Sequence, residues 1–119
     1  MGVRSMWVVK LVLLYLITSP ASADPPLCDT AVANALNLFL ANCLAFLEGD
    51  GPSTPSSKCC AGSKPAAYII AEVPKEAKPL CLCLKNDLDG YAIRSDRAKA
   101  IKPACNLPAE IPADPNVSC

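Results

Sequence analysis

Eight cysteines in a chain of 119 residues restrict its folding more than any other feature, and four of them come in two tight pairs. In order they are Cys28, Cys43, Cys59-Cys60, Cys81-Leu82-Cys83, Cys105 and Cys119, or C-x14-C-x15-CC-x20-C-x-C-x21-C-x13-C. A disulfide wants Cα atoms about 5.5 Å apart with defined torsions, which adjacent residues do not easily provide. Cys59 and Cys60 must therefore reach different partners, and so must Cys81 and Cys83. Every segment is then tied to at least one other. An even cysteine number at this density implies a disulfide framework of four bridges if the chain is exported. Zinc binding by the same thiols is the weaker alternative, because an oxidising compartment consumes them and the chain contains no His.

Export is what the beginning of the chain predicts. Arg4 and Lys10 accompany an apolar run from Trp7 to Ile17, and Ser19-Pro20 and Ala21-Ser22-Ala23 follow. A basic start, a short apolar stretch and a small-x-small site read as a signal peptide over residues 1–23, cleaved after Ala23. The run falls short of the roughly 20 residues that a span needs. No second long apolar run occurs, so no stable membrane anchor is expected. Residues 24–119 then form one domain of 96 residues with all eight cysteines, nine basic and eleven acidic side chains and a net charge of −2.

These numbers exclude much chemistry. Without His, most general acid/base and triad arrangements lack their working group. Ser53, Ser56 and Ser57 have no base, and no paired carboxylates stand out, so no enzyme activity, catalytic residue, cofactor or metal is expected. A slightly acidic domain lacks the basic face that a nucleic-acid partner requires.

The apolar pattern is helical. Val32, Leu36, Phe39, Leu40, Cys43, Leu44 and Leu47 recur on one face of a 3.6-residue period, behind Asp29 or Thr30 as cap and ahead of Gly49 and Gly51 as stop. A second helix is expected over about Ser57 to Val73, with Pro65 disturbing its first half. Pro74 and Pro79 bound a polar link, Lys75 to Lys78. A third helix, Leu80 to Leu88, presents Leu80, Leu84 and Leu88. Ser95 caps a fourth, Asp96 to Lys102, before Pro103. Pro108, Pro112 and Pro115 make the tail an irregular strap. The predicted fold class is all-α: a compact, disulfide-stapled bundle of four helices, with the tail folded across it.

The CC and CxC pairs at these distances resemble the eight-cysteine motif of plant non-specific lipid transfer proteins and their relatives, over the whole of residues 24–119. Leu84-Lys85 after the CxC is similar to the family's C-L-K, and Arg97-Ala98-Lys99-Ala100-Ile101 resembles its R-A-x-x-[LI] helix. The tail Asn106 to Ser118 matches the family's larger type in length and proline content. The first gap is longer than in that type, Ile111 stands where its tail carries Tyr, and Lys75 and Lys78 replace an Arg near the CxC. In the family the residue inside CxC governs the pairing. Leu82, being apolar, favours Cys28–Cys81 and Cys83–Cys119, whereas the loop lengths resemble the type with Cys28–Cys83 and Cys81–Cys119. The side chain is given slightly more weight; Cys43–Cys59 and Cys60–Cys105 hold either way.

The resemblance implies a secreted, apoplastic carrier in cuticle or wall lipid delivery and defence, acting as a monomer on fatty acids, lysolipids or phospholipids. The resemblance also implies that the bundle and its tail enclose an apolar cavity, which the bridges permit: at on the order of 2–4 kcal/mol each, they relieve the core of part of its stabilising duty. Leu36, Leu40, Tyr68, Ile69, Leu80, Leu84, Leu88, Tyr91, Ile93, Ile101 and Ile111 are the candidate lining, with Lys75, Lys78 and Arg97 for an acidic headgroup. The competing reading is an α-amylase or protease inhibitor on the related scaffold, using the Gly49–Lys58 loop. A seed-storage role is remote, since the chain has no Gln. Asn116-Val117-Ser118 is an acceptor pattern for N-glycosylation, beside a bridged cysteine where early folding could hide it.

Overall fold

The computed structural model describes residues 28–119, so the predicted leader and its cleavage site lie outside the described residues. Helix α1 spans Thr30–Leu47. Asp29 starts it as expected, its Oδ1 accepting the Val32 N–H at 2.9 Å and satisfying a donor that the first turn leaves orphaned. Gly49, at φ 97°, ends it. The Gly49 N–H donates to Phe46 O at 3.0 Å and the Asp50 N–H to Ala45 O at 2.9 Å, the paired bonds that close a helix through a left-handed residue.

Helix α2 spans Ser57–Glu72 and is capped by Ser56, whose Oγ accepts the Cys59 N–H at 3.1 Å. Pro65 does not disturb it. The carbonyl that Pro65 leaves without an N–H partner belongs to Ala61, an exposed residue that water reaches. Gly62, Ser63, Ala66 and Ala67 form a buried strip of small residues that lets α2 lie close against α1. A Cβ on Gly62 would stand 2.8 Å from Leu38 O and 2.9 Å from Asn42 Nδ2. The α1–α2 pairing, the most extensive in the bundle, thus needs glycine there.

The supposed polar link is helical: a 3-10 turn, Pro74–Glu76, leads into helix α3, Ala77–Leu88. Pro79 falls in the first turn of α3, where a missing N–H breaks no bond. Leu80, Leu84 and Leu88 are buried along one side of it. Helix α4, Ser95–Cys105, runs through Pro103, and Arg94, not Ser95, is its N-terminal boundary residue, with no side-chain cap. Asn106 at φ 52° turns the chain out of it. The tail then buries Leu107, Ile111 and Ala113 against the same core as Leu36, Phe39, Leu80 and Leu84.

The bridges are Cys28–Cys83, Cys43–Cys59, Cys60–Cys105 and Cys81–Cys119. The pairing favoured by Leu82 is therefore corrected. At about 100° per residue, Leu80 and Leu84 claim the core face of α3 and send Leu82 to the opposite side, where it is 41% exposed. Cys81 and Cys83 flank the leucine stripe on opposite sides. One meets the tail and the other meets the start of α1. Among the described residues there are four α-helices and no strand, which bears out the all-α class.

Gly62→Ala is expected to destabilise the fold by about 1–3 kcal/mol through overpacking, read from urea unfolding. Lys64→Ala, on the exposed side of the same helix, should stay within about 0.5 kcal/mol of the parent.

Candidate functional site

Among the described residues, the middle of the bundle is closed. Leu36, Leu80 and Leu84 have 0% exposure and Ile101 2%, so a sphere the size of water touches almost none of their surface. These four, expected to line a hollow, pack instead with Phe39, Ala66 and Ala67 as core. Ile111 lies in the same core from the tail side.

Open space lies along the two edges of the tail. One hollow, about 260 Å³, is lined by Lys85, Leu88, Tyr91, Ile93 and the tail segment Pro112, Ala113, Asp114 and Pro115. A second, about 380 Å³, is lined by Ile70, Pro74, Ala77, Lys78, Cys81 and by Glu110, Pro112, Val117, Ser118 and Cys119. Pro112 is common to both, so the strap forms the partition between them. Their volumes fall near the lower end of ordinary ligand pockets, roughly 300–1,000 Å³.

Of the predicted lining, Leu88, Tyr91 and Ile93 stand in the first hollow and Lys78 at the second. Tyr68 is 58% exposed on α2. Leu40 and Ile69 are half-buried against the core, and Lys75 is exposed in the 3-10 turn. Ile70, Lys85, Pro112 and Val117 escaped the sequence reading. Ile70 follows Ile69 directly, and periodicity does not say which of two adjacent isoleucines meets the tail. An irregular strap such as the one carrying Pro112 and Val117 has no period to read.

Arg97 is turned inward. Its guanidinium donates to the carbonyls of Pro52 at 2.8 Å, Gly51 at 3.2 Å, Asp50 at 3.3 Å, Gly49 at 3.4 Å and Phe46 at 3.5 Å. It also lies 4.8 Å from the centroid of the Phe46 ring, a distance at which the ring face attracts a cation. A planar fork with five N–H donors suits such a cluster of carbonyls. Arg97 therefore clasps the α1–α2 loop to α4 instead of presenting charge at a hollow.

Asp114, a wall of the first hollow, is 3% exposed. The Asn116 N–H donates to its Oδ1 at 3.0 Å, and the Lys99 Nζ stands 3.7 Å from its Oδ2. The Asn116 backbone bond, the Ser95 hydroxyl and the Lys99 charge hold its carboxyl below the usual carboxylate range against the opposing effect of burial.

Arg97→Lys should cost about 2 kcal/mol by removing the fork and accelerate amide exchange across residues 49–52; the check is hydrogen exchange with urea unfolding. Because the Asp114 pKa is lowered in the fold, its contribution is complete above the unfolded-state carboxylate value and is lost as pH falls through the folded one. Asp114→Asn should therefore lower Tm at neutral pH and flatten the fall of Tm with acid, seen by thermal melts across the acid range.

A family model described as "Probable lipid transfer" matches residues 8–114. Non-specific lipid-transfer protein C, cotyledon-specific isoform, of Ricinus communis is 29% identical over 86 residues, 72% of each chain. Non-specific lipid-transfer protein 12 of Arabidopsis thaliana is 30% identical over 94 residues, 76% of this chain and 75% of its own. Non-specific lipid-transfer protein 11 of the same plant is 33% identical over 89 residues, 71% of this chain and 69% of its own. No solved structure matches significantly. With the matched model covering most of the chain and the cysteine framework bridged throughout, this protein belongs to the plant lipid transfer family.

Proposed function

We propose that the protein is a secreted, non-catalytic carrier that holds a fatty acyl chain along the edges of its tail and moves it through water. The observation that carries this reading is the pair of hollows meeting at Pro112, in a chain whose relatives are named lipid-transfer proteins. Apolar side chains from α2, α3 and the tail supply a flexible wall. Lys78 on one rim and Lys85 on the other are cations suited to a carboxylate or phosphate headgroup.

Energetics support a chain-reading site. Burying a methylene yields roughly 0.8 kcal/mol, so a dozen give about 10 kcal/mol gross before the cost of ordering the guest. Selectivity then rests on chain length more than on the headgroup. An acyl chain longer than one hollow must pass beneath or beside Pro112. The bridge of Cys81 to Cys119 anchors the far end of the strap, so displacement is confined to the segment between α4 and that bridge. The inhibitor reading lacks an anchor: the exposed loop before α2, though pinned by Arg97, carries only small polar residues and prolines, and Lys58 sits in the first turn of the helix.

Oxidised protein should take up a fluorescent fatty acid, and reduced protein should not. Ile93→Asp and Ile70→Asp, one for each hollow, should each weaken uptake about tenfold, as expected for losing contact with about two methylenes. Undiminished binding in both, with the fold intact by circular dichroism, would defeat the assignment.

A further inference from the structure

Asn116 takes no part in either the core or the carrier reading, although Val117 and Ser118 after it line the second hollow. Residues 114–117 form a β-turn, with the Val117 N–H donating to Asp114 O at 3.1 Å. Pro115 occupies its second position, where a fixed φ favours the turn. The Asp114 carboxylate secures the turn from within through the Asn116 N–H at 3.0 Å. Asn116 thus engages its backbone in the turn while its side chain is exposed, and Ser118 is exposed as well. The bridge of Cys119 to Cys81, which could have hidden the motif, leaves it on the surface.

Its position relative to the hollows is specific. Pro115, on one side, lines the first hollow, and Val117, on the other, lines the second, while Asn116 lines neither. Asn116 therefore stands on the ridge between them and points into solvent, where a bulky hydrophilic group meets no wall. We propose that Asn116 is an N-glycosylation site, carrying an oligosaccharide on the crest of the strap with both hollows left open. In the step, the Asn116 Nδ2 attacks C1 of the first sugar of a lipid-linked oligosaccharide. The C1–oxygen bond to the diphosphate breaks, the lipid diphosphate leaves, and the amide nitrogen loses one proton. The donor and its transferase are those of the secretory pathway, so the site rests on export of the chain but not on lipid carriage.

The test expresses the full chain in plant cells and weighs the intact protein from medium and cells, before and after a peptide N-glycosidase. The expected result is secreted, fully oxidised protein heavier than its polypeptide by one oligosaccharide, which the glycosidase removes. Asn116→Gln and Ser118→Ala should each abolish the added mass, and Ser118→Thr, which keeps the hydroxyl acceptor pattern, should retain it. Fluorescent fatty acid uptake by unglycosylated Asn116→Gln should equal that of the parent. Secreted protein with the polypeptide mass alone, added mass that persists in Asn116→Gln, or a chain held unmodified inside the cell would each overturn the site. Fatty acid uptake is scored separately, so a glycosylated protein that binds no lipid would refute the carrier and leave the glycan standing.

Discussion

Helix α3 is held from both flanks, and the rest of the structure follows from that. Cys83 ties it to the start of α1 across 55 residues of chain, and Cys81 ties it to the tail across 38. Between them the stripe of Leu80, Leu84 and Leu88 faces the core. The other two bridges join α1 to α2 and α2 to α4. Each helix is thereby fixed to a neighbour by a bond that needs no packing to persist, and the unfolded chain is correspondingly restricted. In a domain this small, where burial alone hardly offsets conformational entropy, such staples carry much of the stability.

The staples permit a hollow without dictating its place. Small residues on α2 bring it so close to α1 that the centre fills, and Gly62 marks where backbone meets backbone. Openness is displaced to the margin, where an irregular strap meets α2 and α3. A strap cannot interdigitate as one helix does with another, because its side chains follow no common ridge. It seals the core with Leu107, Ile111 and Ala113 and leaves gaps along both edges. Two buried charged groups work here as fasteners. Arg97 clasps the α1–α2 loop, and Asp114 secures the turn of the strap.

Much of this was legible because it depends on local pattern. The caps at Asp29, the stop at Gly49, the buried faces of α1 and α3 and the two constant bridges each follow from spacing, turn chemistry or the family motif. The prolines misled because the carbonyls that Pro65 and Pro103 leave without an N–H partner belong to Ala61 and Lys99, exposed residues where water takes the place of the lost donor. Leu82 misled for a related reason. Apolar character suggests burial, but Leu80 and Leu84 already occupied the single inward face of α3. Arg97 was noticed for its motif and given the wrong surroundings, because its carbonyl partners lie some 45 to 51 residues away.

Read alone, the chain determines that it is a helical domain cross-linked four times, since cysteine order and a 3.6-residue period are properties of a line of residues. Which of Cys81 and Cys83 meets which partner, whether an aliphatic side chain lines a void or fills one, and where a cation finds its carbonyls were decided by tertiary structure. Those outcomes depend on how closely two helices approach and which side of each is already taken, and that competition for space exists only once the elements are assembled.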